Sequence, residues 1–170
     1  FTGSNGSKFN VFGFNYGDDV LYSSLVNYSC NSYGFGSNFI LIPSVSSILV
    51  EGNFAFSNYD TEQTNFGSKP KLSSINGFNS GLDFTYFLEG ESQIKYGIED
   101  HGFGNTLNFY TPSNILVDHN DNTTEFAGFV KYKHVGTRLL LEPSVRYHSY
   151  TSLGESSFEP RLGLKYNLSL

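Results

Sequence analysis

Phe158-Glu159-Pro160-Arg161-Leu162-Gly163-Leu164-Lys165-Tyr166-Asn167-Leu168-Ser169-Leu170 is the stretch whose pattern decides the fold. Phe158, Pro160, Leu162, Leu164, Tyr166, Leu168 and Leu170 occupy every second position, and Glu159, Arg161, Gly163, Lys165, Asn167 and Ser169 occupy the positions between. Successive side chains of a strand point to opposite sides, so this period of two describes a strand with one apolar and one polar face. The stretch before it repeats the pattern: Leu139, Leu141, Pro143, Val145 and Tyr147 alternate with Leu140, Glu142, Ser144, Arg146 and His148. Further upstream, Phe126, Gly128, Val130 and Tyr132 oppose Glu125, Ala127, Phe129, Lys131 and Lys133, and Ile94, Tyr96 and Ile98 oppose Gln93, Lys95 and Glu99. Leu82, Phe84, Tyr86 and Leu88 oppose Gly81, Asp83, Thr85 and Phe87, and Ile48, Val50, Gly52, Phe54 and Phe56 oppose Leu49, Glu51, Asn53 and Ala55.

The first third alternates more weakly. Lys8 to Tyr16, Val20 to Asn31 and Tyr33 to Pro43 read as strands rich in small residues, with turns at Gly17-Asp18-Asp19 and Asn31-Ser32. The whole chain then holds about nine strands, each near the length that a tilted membrane strand requires. Their connections alternate in length, except that the link at Asn31-Ser32 is short where a long one is expected. Gly17 to Asp19, Pro43 to Ser47, Glu89 to Ser92 and Val135 to Thr137 are short; Tyr59 to Ser73, Gly102 to Thr123 and Tyr150 to Ser157 are long. Tight turns on one side and longer loops on the other are the habit of outer-membrane barrels.

Composition agrees with an all-β chain. Charged residues make up 15% of the 170 residues, aromatics reach 17% without any Trp, and Gly, Ser and Asn fill much of the rest. Typical soluble domains carry roughly 25% charged residues. The net charge of −6 opposes nucleic-acid binding, which needs a basic surface. No run approaches the length of an apolar membrane helix, the longest being Phe39-Ile40-Leu41-Ile42. Phe1-Thr2-Gly3-Ser4 lacks the basic and apolar regions of a signal peptide, and the chain has no Met, so a mature chain or a piece of a longer one is expected. Cys30 is the single cysteine and reads as a small apolar strand residue.

Two unlike faces require two environments. In a soluble sandwich the apolar face meets a second sheet; in a membrane barrel it meets lipid while the polar face lines a lumen. Strand length and the rhythm of the connections favour the barrel, as do Tyr132, Tyr147, Tyr150 and Tyr166 near strand ends, where bilayer interfaces favour such rings. Leu139, Leu141, Val145, Leu162, Leu164 and Tyr166 are then expected to face lipid. Glu142, Arg146, His148, Glu159, Arg161 and Lys165 are the candidate lumen residues, with Glu142–Arg161 and Arg146–Glu159 as expected cross-strand pairs.

Phe158-Glu159-Pro160-Arg161-Leu162-Gly163-Leu164-Lys165-Tyr166-Asn167, following the loop Tyr150-Thr151-Ser152-Leu153-Gly154, resembles a mid-barrel strand of the TonB-dependent receptors of Bacteroidetes. Asp121 to Lys133 and Leu140 to His148 resemble strands of the same family, as do Gly81 to Phe87 and Ile94 to Glu99. The resemblance implies a barrel of about 22 strands with an N-terminal plug, within the size range of such barrels. It implies the outer membrane of a Gram-negative cell and uptake of a glycan, peptide or metal chelate driven through the TonB system. Residues 1–170 would be a barrel segment without plug or TonB box, its partners outer-membrane lipid, the rest of the receptor including the plug, and a transported solute. A small complete barrel of structural or adhesive role is the alternative, and a barrel enzyme is the third possibility.

No cofactor, metal or catalytic residue is assigned. His101, His119, His134 and His148 are scattered rather than set at the spacing of a zinc site. Asp118-His119-Asn120-Asp121-Asn122 lacks the spaced carboxylates and distal Glu of a calcium loop. No Gly-x-Ser-x-Gly elbow occurs, and Gly34-Phe35-Gly36 and Gly102-Phe103-Gly104 open no helix that would bind phosphate.

Overall fold

The computed structural model describes every residue except 1, 4, 5, 23, 24, 45, 169 and 170. The chain forms one antiparallel sheet of eight strands in sequence order: β1 (Lys8–Tyr22), β2 (Val26–Leu41), β3 (Ile48–Asn65), β4 (Lys71–Phe87), β5 (Gln93–Tyr110), β6 (Leu116–Val135), β7 (Leu139–Tyr150) and β8 (Glu155–Tyr166). No helix occurs among the described residues. The expected all-β meander is therefore the observed one.

Two details of the expectation are corrected. The count is eight rather than nine, because Gly17-Asp18-Asp19 continues β1 and Asn31-Ser32 continues β2; the chain reverses between Tyr22 and Val26, which pair directly. The expected long loops are also largely strand. β3 runs on to Asn65 and β4 restarts at Lys71, while β5 and β6 are separated only by residues 111–115. Reversals fall where glycine supplies a left-handed backbone, at Gly67, Gly90 and Gly154, with φ of 74°, 73° and 68°. The final strand ends at Tyr166, and the expected continuation to Ser169 and Leu170 lies outside the described residues.

The register joins the alternating sets into two continuous faces. Leu139, Leu141, Pro143, Val145 and Tyr147 lie opposite Tyr166, Leu164, Leu162, Pro160 and Phe158. Val130 lies opposite Val145 and Tyr96, Phe84 opposite Tyr96 and Val50, and Phe39 opposite Gly52 and Phe9. On this apolar face Phe35 packs against Phe54 and Phe56, with ring centroids 5.9 and 5.7 Å apart, and Phe84 stacks on Tyr96 at 5.2 Å. Neither face is covered. Ala127 is the only buried hydrophobic residue among those described, and Val11 on β1 and Phe158 on β8 are each 70% exposed. A sheet one layer thick has no core of its own and requires a second surface to hide its apolar side.

The apolar side chains form a band that crosses the ladder obliquely. From Phe9, where the band begins on β1, direct pairing leads through Phe39, Gly52, Leu82, Ile98, Gly128 and Tyr147 to Phe158. On β8 the band begins instead at Tyr166, eight residues away (166 − 158), after seven strand-to-strand steps. With ~3.3 Å per residue and ~4.8 Å between strands, the offset is ~26 Å along the strands against ~34 Å across them. The strands are therefore inclined by ~38° to the normal of the band.

β1 pairs with β2 alone and β8 with β7 alone, so the described sheet has two open edges. Beyond the band, β3 to β6 continue as paired strands that are largely polar on both sides, from Asn58 to Asn65 and from Leu116 to Asn122 for example.

Candidate functional site

The six residues singled out in the sequence share one face. Leu140 lies opposite Lys165, Glu142 opposite Gly163, Ser144 opposite Arg161, Arg146 opposite Glu159 and His148 opposite Ser157. The expected cross-strand ion pairs do not form, although Arg146 and Glu159 are ladder partners. Arg146 reaches over β6 to Glu99 on β5, Nη2 to Oε2 at 2.8 Å. Glu142 binds Lys131 on β6 at 3.2 Å. Arg161 turns to Glu159 on its own strand at 2.7 Å, and Ser157 donates to the same carboxylate at 3.3 Å. Two residues apart on a strand share a face, and among the described residues β8 pairs with β7 alone, so the shortest connection is along the strand itself.

Sequence reasoning left out the other half of this network. Lys95 on β5 binds Asp83 on β4 at 2.8 Å and Glu51 on β3 at 3.6 Å. Gly97, buried two positions along, leaves the space that the Asp83 carboxylate fills; a Cβ there would collide with it. Glu125 meets His148 at 3.4 Å, an ion pair only when the imidazole is protonated, and the Tyr150 ring lies 4.5 Å from that of His148. Alternation had already placed these residues among the polar sets, but only the register of strands far apart in sequence brings them together.

All seven ion pairs found among the described residues lie on this face. Every Lys and Arg within a strand, from Lys8 to Lys165, points to it as well. The pairs are half-exposed: Arg146 and Glu99 keep 31% and 32% of their side-chain surface. Carboxylate, ammonium and guanidinium groups of both signs thus share one partly exposed face. The charge of this face is largely neutralised within itself.

Toward β1 the same face changes character. Phe12 and Phe14 lie opposite Gly36 and Gly34, which are buried beneath their rings, and Tyr16 follows. Asn79 is held by the His101 ring at 2.9 Å, and Asn53 donates to Asn79 at 2.7 Å.

Among the described residues no group of three or more His, Cys, Asp or Glu is placed to hold an ion. Asp118 to Asn122 is part of β6 rather than a loop, so Asp118 and Asp121 project to opposite faces. Asp121 bonds His119 at 2.6 Å. His134 lies on the apolar face, near Ser92 at 3.5 Å, and does not join the other histidines. Cys30 is a free thiol on the polar face of β2. Among the described residues no helix is long and apolar enough to cross a membrane, which leaves membrane-crossing strands untouched.

No protein-family model matches the chain, and neither does any curated protein or any solved structure.

Proposed function

We propose that this chain is part of the wall of an outer-membrane β-barrel, and that the barrel belongs to a receptor of the TonB-dependent type importing a nutrient such as a glycan, peptide or metal chelate. The observation that carries the membrane assignment is the oblique apolar band. Laid level in a bilayer, it sets the strands at ~38°, inside the ~35–45° tilt of outer-membrane barrels. Its height fits too. From Ile48 to Phe56 the band spans eight residue steps of β3, ~26 Å along the strand and ~21 Å after projection. That is close to the ~25 Å apolar band of such proteins. Tyr86, Tyr132 and Tyr166 mark one border and Tyr33 and Tyr147 the other, as interfacial aromatics do.

The paired charges then line the lumen, and nothing in lipid has to accommodate a cation. The open edges at β1 and β8 favour a wall continued by further strands, because unpaired backbone in hydrocarbon costs several kcal/mol per group. A wide barrel with a polar lumen suits regulated uptake of a solute. Energised transport rests on the strand resemblances described above.

Uptake by cells carrying the complete gene tests this function. Solute accumulation should collapse when a protonophore removes the inner-membrane gradient, since import is energised across the periplasm. Unchanged accumulation would exclude a TonB-driven importer and leave a passive barrel. One observation favours the alternative of a small complete barrel: the strand number is eight, an even number sufficient for closure. Closure would join β1 to β8. A cysteine at Val11 scanned against cysteines from Phe158 to Tyr166, with Cys30→Ser, should give no disulfide; an efficient disulfide at one register would establish the small barrel.

A further inference from the structure

Above the apolar band the wall is stepped. β6 pairs with β5 from Leu116 opposite Tyr110 to Lys133 opposite Gln93, but with β7 only from Glu125. The pairing with β7 ends where Thr151 donates its N–H and its hydroxyl to the Thr124 carbonyl, at 2.9 and 2.7 Å. From there β7 turns into β8, and neither strand rises beside the upper part of β6. In an antiparallel strand, alternate residues direct both backbone groups to the same side. Thr124 bonds outward, so Leu116, Asp118, Asn120 and Asn122 present their N–H and C=O groups to the same bare side. The carbonyl of Ile115, in the opposite phase, accepts from Thr111 on the β5 side at 2.9 Å.

We infer that this edge of β6 is a docking site for an extended cationic peptide, which adds to the sheet as one more strand. The geometry supplies the main-chain half of the recognition: a straight stretch of ~23 Å over seven residues, without proline or bulge, and with its ladder positions open. The side chains supply the sign of the partner. Asp118 projects from one face and Asp121, bonded to His119 at 2.6 Å, from the other, so an added strand meets a carboxylate whichever way its side chains point. No Lys or Arg lies in this segment or among its β5 partners, Gly104 to Tyr110. Lys69 and Lys71 reach in from β4 and the turn before it, with their ammonium groups over the rings of Tyr110 and Phe109, so the cations already present lie at the Leu116 end of the edge. Pairing of this edge with a second copy of itself would bring like carboxylates together, which disfavours a homodimer. The site depends on the fold and not on what the barrel transports.

The test uses the full-length protein folded in lipid vesicles and a labelled short peptide of alternating lysine and threonine. Three comparison peptides separate the contributions: one with every second amide N-methylated, one with glutamate for lysine, and one with the same composition and proline interspersed. The lysine peptide should bind saturably, and each of the others about tenfold or more weakly. Asn120→Pro removes one outward N–H and leaves the ladder to β5 intact, as proline on an edge allows. It should weaken the lysine peptide about tenfold, with unchanged circular dichroism. Asp118→Asn with Asp121→Asn should weaken it similarly. Equal binding of the N-methylated peptide, or indifference to Asn120→Pro, would show charge attraction alone and overturn the proposal. So would an absence of binding, or a concentration-dependent dimer that pairs through this edge.

Discussion

Placing a guanidinium at Val130 puts the two-faced wall under the most direct energetic strain. Val130 lies in the middle of the apolar stretch of β6, two positions from Gly128 and from Tyr132, with Tyr96 and Val145 as its ladder partners. Its side chain is 49% exposed, so in water Val130→Arg would be tolerated within about 0.5 kcal/mol, as exposed substitutions are. In a bilayer this position is near the midplane, where arginine on a barrel's lipid face costs about 2–4 kcal/mol. The same substitution at Tyr132 or Phe126, at the two borders of the band, should cost only about 0–1 kcal/mol from burial of the charge, beyond what loss of the aromatic ring itself costs. Tyr132→Ala and Phe126→Ala supply that correction. The assay is reversible denaturant unfolding of the full-length protein in vesicles, with the midpoint and slope read for each variant. A peak at Val130 flanked by lower values, and moving with bilayer thickness, is expected. Equal costs at all three sites, or none at Val130, would refute a lipid-facing band.

Three further outcomes follow from named contacts. Gly36→Ala should destabilise by about 1–3 kcal/mol, because its Cβ would stand 2.5 Å from the Phe12 ring and 2.7 Å from the Phe54 carbonyl; adding Phe12→Ala should recover only part, since the backbone clash remains, and chemical denaturation reads both. Pro143 faces Tyr132 where the β6–β7 ladder lapses, so Pro143→Val should restore a donor there and raise stability by about 1 kcal/mol in the same assay. A double-mutant cycle on Arg146→Ala and Glu99→Ala should yield a coupling of about 0.2–1 kcal/mol that weakens with salt, as half-exposed pairs do, whereas a value near zero would mean the 2.8 Å contact is not held in solution.

How far the fold could be read from sequence varied along the chain for physical reasons. β7 and β8 alternate bulky apolar with mostly polar residues, so their faces were legible from Leu139 to Tyr150 and from Glu155 to Tyr166. β1 and β2 hid theirs. Gly13, Gly17, Gly34 and Gly36 flatten the pattern, and Phe12, Phe14 and Tyr16 put aromatic rings on the side that carries charge elsewhere. Gly17-Asp18-Asp19 has the composition of a turn, yet Gly17 pairs with Asn31 inside the sheet. Outside the apolar band, strands need not be amphipathic. Tyr59 to Asn65 and Gly104 to Asn122 therefore looked like loops, although backbone hydrogen bonds to neighbours on the ladder keep most of them extended. For the polar face, the sequence yielded the membership but not the pairing. Arg146 passes its ladder partner Glu159 for Glu99, a choice set by three strands at once.

A nitroxide scan of β6 from Phe126 to Tyr132, in a Cys30→Ser background and with the full-length protein in vesicles, tests the central claim most directly. Each label reports its exposure to oxygen, which concentrates in lipid, and to a water-soluble nickel chelate. A lipid-facing band predicts a period of two, with oxygen dominant at 126, 128, 130 and 132, and the nickel chelate dominant at 127, 129 and 131. The opposite phase would turn the charged face toward lipid, and a scan without oxygen maxima would place the apolar band in water or against protein; either result contradicts the assignment of this chain to a membrane wall.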